Sequence, residues 1–281
     1  MKTETIRTTR QGRHHQISFL KPAEGPPVVS LRTIEELRDA VARLAGDPSV
    51  RSVTIRSDGD GVFLAGGDLE EFQRLETPEQ GRAMALAMRE VLQALEALPC
   101  PVLAVLDGDV FGGGCEMILA ADVRVAAAGI RLAFSQGRFG LVPGWGGATR
   151  LTRLVGPGRA LYLLMAGRPI EAREARRIGL VDEVVLRERL DDFVAEFQAN
   201  VEVIAPEAIR VAKQVVREAA SLPYDQSLAR ELDLFTGLWG SAVHREGLRA
   251  FFEHRAPAWA NEPQRPARGN RSRGARHGSG A

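Results

Sequence analysis

The run Gly108-Asp-Val-Phe-Gly-Gly-Gly-Cys-Glu-Met-Ile-Leu-Ala-Ala-Asp122 constrains this chain more than any other segment. It follows a short apolar stretch, Pro101–Leu106, that reads as a strand, and its own second half reads as an apolar helix. Three successive glycines at that junction leave no Cβ between the backbone and whatever approaches it, so N–H groups at the helix start can face a ligand directly. A phosphate cradle is the familiar use of such a loop. Here the chain holds no GxGxxG and no GxxxxGK[ST], and no lysine stands near the run. Stabilisation of a developing oxyanion is another use of the same N–H groups. If Gly113 N–H points at that oxygen, Glu116 lies three residues on in the same first turn, and an oxyanion donor and an acid/base share one rigid element. Taken alone, Glu116 equally suits the plain role of a first-turn acid that complements the helix dipole.

Elsewhere Ser52–Arg56 alternates at period two and reads as a strand, with helical signals between it and Pro101. Thr33 followed by Glu36 resembles a capping box opening a helix through Leu44, with Gly46 as its stop. Thr77-Pro78-Glu79-Gln80 reads as a second start, Thr77 at the N-cap and Pro78 at N1, for a helix running to about Leu98. Strand, helix, strand, helix predicts an α/β chain. Past Gly147 amphipathic helices follow: Ile170–Ile178 closed by Gly179, Pro206–Ala220 and Gln226–Trp239. Phe235, Trp239, Phe251, Phe252 and Trp259 need a surface to bury their rings, which points to self-association, or more plainly to packing back on the core. The expected division is an α/β core over 1–199, a helical region over 200–260 and a disordered Arg/Gly-rich tail over 261–281.

Charge excludes a global polyanion binder, because 37 Lys+Arg against 36 Asp+Glu leave a formal net charge of +1. The tail carries five arginines able to touch RNA or an acidic partner, but a solvated tail is the expectation and nucleic acid is not. Two cysteines, Cys100 and Cys115, form no CxxC pair, and the five histidines lie near the termini, so neither a disulfide framework, a metal site nor a Ser/His/Asp triad is expected. No run of about 18 apolar residues occurs and the first residues lack an apolar core, which predicts no membrane span, no secretory signal and a cytoplasmic setting.

A second glycine cluster, Phe63-Leu-Ala-Gly-Gly-Asp-Leu69, again follows a strand and opens a helical stretch, so two loops can each donate one N–H to one oxygen. VFLAGGDLEEF, GDVFGGGCEMILAADVRVA, GLVPGWGGATRLTRLVG, GRPIEAREARRIGLVDEVV and EGLRAFFEHRAPAW occur in order over about residues 10 to 260. This series resembles the crotonase (enoyl-CoA hydratase/isomerase) superfamily. The resemblance implies a crotonase-like spiral of ββα units with a C-terminal helical trimerisation region, assembled as a homotrimer or hexamer. It implies an acyl-CoA substrate, with coenzyme A carried as part of that substrate and no separate cofactor. By similarity, Gly67 and Gly113 are the oxyanion donors and Glu116 the acid/base. Ala65, Asp68, Gly112, Arg138 and Trp145 are the substrate-binding candidates.

Hydratases of that superfamily use a second glutamate seven residues before the proline of the PGxGG block, and that position is Gln136, counting from Pro143. A neutral amide is no general base. A frame shifted by two puts Arg138 there instead. Both residues suit orienting a water, binding a carboxylate, or simply lining the pocket. The form FSQGRFGLVPGWGG, with Trp145, is closer to superfamily members resembling ethylmalonyl-CoA decarboxylase; Trp145 equally suits a packing role. The usual NRPxxxNAL loop reads KPAEGPPVVSL (Lys21–Leu31), and Glu70 stands where a lysine is frequent, which leaves an acyl-carrier protein's phosphopantetheine arm open as the carrier. The expectation is an enolate-forming acyl-CoA enzyme of the hydratase/isomerase type. Its rivals are a malonyl-type CoA decarboxylase and an inactive thioester- or RNA-binding relative.

Overall fold

A two-residue turn at Gly12, whose φ of 60° suits glycine, joins β1 (Ile6–Gln11) to β2 (His14–Phe19) as an antiparallel hairpin. The computed structural model describes residues 4–59 and 61–260, so the expected tail over 261–281 lies outside the described residues. Helix α1 (Leu31–Ala45) follows. From there strands come in pairs split between two sheets: β3 (Ser52–Ser57) with β4 (Val62–Leu64), β5 (Val102–Leu106) with β6 (Asp109–Phe111), and β7 (Val123–Ala127) with β8 (Arg131–Ala133).

The first strand of each pair joins a six-stranded sheet of order β1-β2-β3-β5-β7-β10, the second a four-stranded sheet of order β4-β6-β8-β9. Here β9 is Ile170–Glu171 and β10 is Glu183–Val185. Helices leave each pair: α2 (Leu69–Phe72) and α3 (Pro78–Glu96) after β4, α4 (Gly113–Ile118) after β6, and a 3-10 turn (Gln136–Phe139) with α5 (Gly147–Val155) and α6 (Pro157–Ala166) after β8. This repetition is the spiral of ββα units. Parallel pairing with helices on the faces explains why β5, VLAVL, is buried at every residue.

Helix α1 buries Ile34, Leu37, Val41 and Leu44 at the i, i+3, i+4 spacing of one face. Its capping box is one turn earlier than the sequence suggests. Ser30 Oγ accepts from Thr33 N–H and the Thr33 side chain caps Ser30 N–H. The Glu36 carboxylate is spent elsewhere, accepting from Thr5 N–H, Thr5 Oγ1 and Ile6 N–H, which pins the entry of β1. The Thr77/Gln80 box opens α3 as expected, and the helix ends at Glu96.

The stretch expected as one helix over Ile170–Ile178 instead gives two residues to β9 before α7 (Ala172–Arg177), because Ile170 pairs with Leu132 across the small sheet. Four helices close the described residues: α8 (Leu190–Val203), α9 (Pro206–Ala219), α10 (Tyr224–Leu238) and α11 (Ala242–Phe252), so the expected border at 199/200 lies inside α8. Buried Arg51 donates to the carbonyls of Val201 and Ile204 at the end of α8, and Lys213 of α9 reaches Asp122 at 2.7 Å and Cys100 O at 3.0 Å. These contacts fasten the helical region to the bottom of the large sheet. Leu232, Phe235, Trp239, Phe251 and Phe252 on α10 and α11 and at the α10 end remain exposed. No helix among the described residues is long and apolar enough to cross a membrane.

Candidate active site

The parallel pairing of β4 with β6, Leu64 beside Val110, brings the two glycine loops side by side at the carboxyl ends of those strands. Their backbones touch. A Cβ on Gly66, whose φ is 113°, would lie 3.0 Å from Gly113 N and 3.2 Å from Phe111 O. One on Gly114 would lie 2.5 Å from Leu64 O. Glycine is therefore required by contact as well as by conformation.

Hydrogen bonding then sorts the candidate donors. Ala65 N–H is taken by Pro27 O at 2.9 Å and Gly112 N–H by Ala133 O at 2.8 Å. Val29 bridges the first loop by donating to Gly66 O at 2.7 Å and accepting from Asp68 N–H at 2.9 Å, which leaves the Gly67 N–H out of the bridge. Gly113 is the first residue of α4, where a helix has no internal acceptor for its N–H. Among the described residues, no protein acceptor meets Gly67 N–H or Gly113 N–H.

Glu116, only 2% exposed, lies one turn into α4. Its carboxylate is enclosed by the turn that precedes α5. Oε2 accepts from Trp145 N–H at 2.8 Å and Gly147 N–H at 2.9 Å, and Oε1 from Gly144 N–H at 3.3 Å and the Gln136 amide Nε2 at 3.1 Å. Burial pushes the Glu116 carboxyl above its usual range, and the donors from Gly147, Trp145, Gln136 and Gly144 pull back only part of the way. A Cβ on Gly147 would lie 2.3 Å from Glu116 Cγ, so this turn too closes on the carboxyl only as glycine. The result is an acid held closer to neutrality next to two unused backbone donors.

The other predicted residues fall into different places. Gln136 joins the cluster through Nε2, and its Oε1 is buried without a partner. Trp145 joins it through its backbone, while its ring, 5% exposed, packs over Gly113. Asp68 is the N-cap of α2, accepting from Glu71 N–H at 3.0 Å, so its carboxylate is engaged in holding the loop. Arg138 lies exposed on the 3-10 turn and makes no bond to Glu116. Sequence reading did not single out Gly144 and Gly147 as donors. The signal was present in Pro143-Gly-Trp-Gly-Gly147, a glycine-rich run opening a helix, with Gly146 at φ 91°. Nor did it find Phe72, whose ring underlies Gly67, or Met84, whose Sδ accepts from the Trp145 indole at 3.4 Å.

Cys115 is fully enclosed behind the loop, its thiol facing Val110 O and Ala133 O, and burial pushes it up away from the thiolate. Among the described residues, no group of three or more His, Cys, Asp or Glu is placed to hold a metal ion.

Known proteins share this sequence pattern and this fold. The family described as enoyl-CoA hydratase/isomerase matches residues 19–262. The crotonyl-CoA hydratase of Syntrophomonas wolfei is 36% identical over 223 residues, 79% of this chain and 85% of that protein. The short-chain-enoyl-CoA hydratase of Clostridium acetobutylicum is 33% identical over the same shares. In three dimensions the fold matches the crystal structure of an enoyl-CoA hydratase from Bacillus anthracis with a TM-score of 0.86 at 32% identity, covering 92% of this chain and 100% of the other.

Proposed function

The chain belongs to the enoyl-CoA hydratase/isomerase family, and from that premise we propose that it adds water to a short 2-enoyl-CoA thioester through an enolate, with Glu116 as the only carboxyl that moves protons. The observation that carries this is the pair of unpartnered N–H groups on Gly67 and Gly113 beside the buried Glu116. The thioester oxygen sits between the two N–H groups. As a water oxygen bonds to the β-carbon, Glu116 takes the water proton and the π electrons of the enoyl group shift onto the thioester oxygen, giving the enolate. Glu116 then returns the proton to the α-carbon as the enolate collapses. Each oxyanion donor contributes on the order of 3 kcal/mol to the barrier, because it is fixed before charge develops. Gln136 holds the carboxylate in place. No cofactor enters beyond the coenzyme A, or the equivalent pantetheine arm, borne by the substrate.

One observation favours a second reading. Gln136 leaves a single carboxyl in the cluster, and one proton donor suffices when the enolate arises by loss of CO₂ from a malonyl-type CoA. Crotonyl-CoA and ethylmalonyl-CoA, offered separately to wild type and Glu116→Gln, separate the two. Water addition lost in the variant supports hydration; CO₂ release without hydration replaces it with decarboxylation. Turnover of neither, with no thioester binding, removes both.

The exposed rings of Phe235, Trp239, Phe251 and Phe252 are proposed to be covered by further copies of the chain, as a trimer or hexamer.

A further inference from the structure

We propose that the Trp145 indole is the end wall of the acyl pocket and limits the substrate to short chains, an inference that rests on the thioester reading above. The reacting carbons have to lie between Gly113 N–H, which holds the oxygen, and the Glu116 carboxyl, which reaches the α-carbon. Trp145 bounds that space. A Cβ on Gly113 would lie 2.3 Å from Trp145 Cζ3 and 2.5 Å from Cη2, so the six-membered ring occupies the position a Gly113 side chain would take. At its other end the residue donates its N–H to Glu116 Oε2 at 2.8 Å. The indole thus spans from the oxyanion loop to the proton-transfer group, and a chain continuing past the β-carbon on that side meets its ring.

The wall is fixed in place. Indole Nε1–H is bonded to Met84 Sδ on α3 at 3.4 Å. The Trp145 carbonyl accepts from Arg150 at 2.9 Å, and Arg150 is itself held by both oxygens of Glu96 at 2.7 and 2.9 Å. Backbone and ring are therefore anchored independently, and a longer chain cannot displace the ring without breaking a bond at one end.

The test is chain-length selectivity. Wild type, Trp145→Phe and Trp145→Ala are compared for kcat/KM on crotonyl-CoA and 2-octenoyl-CoA. Binding of the unreactive butyryl-CoA and octanoyl-CoA is measured by calorimetry on the same proteins. Opening the wall gives each added methylene about a fourfold gain, so Trp145→Ala is expected to raise the octenoyl-to-crotonyl ratio by roughly 250-fold over four methylenes. Trp145→Phe, which keeps an aromatic ring and guards against failure of the alanine variant to fold, is expected to raise it about tenfold or less, in the same direction. Wild type binding octanoyl-CoA more tightly than butyryl-CoA, or an unchanged ratio in both variants, overturns the proposal. Binding of neither thioester by wild type instead defeats the thioester reading, and the wall with it.

Discussion

Gln136→Glu tests the coupling at the centre of the site. In the wild type the amide Nε2 donates to Glu116 Oε1 at 3.1 Å. Substitution replaces a donor by a second carboxylate at that separation. Two unit charges about 4 Å apart repel by about 4 kcal/mol at an effective dielectric of 20, and the lost bond to a charged acceptor adds about 2 kcal/mol. Below the ordinary glutamate value of 4.5 both carboxyls are protonated in the folded and unfolded chain, and a protonated carboxyl at position 136 can restore the bond to its neighbour. As pH rises, the folded pair retains a proton that the unfolded chain has already released, so its folded-state affinity for protons is raised. Stability is then lost progressively with rising pH, beginning near 4.5 and continuing until the pair is fully ionised. Denaturant midpoints of variant and wild type at pH 5 and pH 8.5 read this directly. The expected deficit is small at the lower pH and on the order of 6 kcal/mol at the higher. An equal deficit at both would mean that the two side chains do not share the proton, and the cluster geometry would be wrong.

Three further outcomes are expected. Glu116→Gln lowers kcat by 10²–10⁴-fold with butyryl-CoA binding retained, and the wild-type rate falls on the acid side with a midpoint above the usual carboxylate value of 4.5, measured as a pH profile of kcat/KM. Gly66→Ala forces a Cβ to 3.0 Å from Gly113 N at a φ of 113°, so thermal unfolding should show a loss of about 1–3 kcal/mol together with a fall in kcat on crotonyl-CoA. If the proposed trimer or hexamer forms through these rings, Phe251→Glu with Phe252→Glu, at positions 71% and 73% exposed, should reduce the mass measured by light scattering, whereas a wild-type mass of one chain, or an unchanged mass in the variant, would refute that role for them.

Much of the spiral was legible because parallel strands buried on both faces read as apolar runs and their glycine loops sit at fixed places in the chain. PVLAVL is such a case, whereas SVTIR was legible by its period-two alternation. The opening hairpin was not. Ile6–Gln11 exposes five of its six residues, so the sequence carries no apolar alternation there, and only pairing with β2 and the Gly12 turn make it a strand. The capping box of α1 was misplaced by a turn for a related reason. Thr33 and Ser30 are both good capping residues at local spacing, and the choice is made by Glu36, whose carboxylate is claimed by Thr5 and Ile6 some thirty residues away.

The same distinction runs through the site. The family resemblance, rather than loop position alone, singled out Gly67 and Gly113 as donors, and the structure occupies their neighbours: Pro27 O takes Ala65 N–H and Ala133 O takes Gly112 N–H. Asp68, by contrast, looks like a site carboxylate in sequence because it follows the glycines, yet that same position is the N-cap of α2 and its charge is used locally. Counting from Pro143 identified Gln136 as the departure, but no local pattern joins its amide to a carboxyl 20 residues earlier. The link depends on the 3-10 turn and the Pro143–Gly147 turn closing over α4 together. Once they do, Glu116 has donors on both oxygens and none of them is a charged side chain. Its proton affinity is then governed by burial against fixed dipoles, a balance that one added carboxylate at position 136 would tip further toward the protonated form.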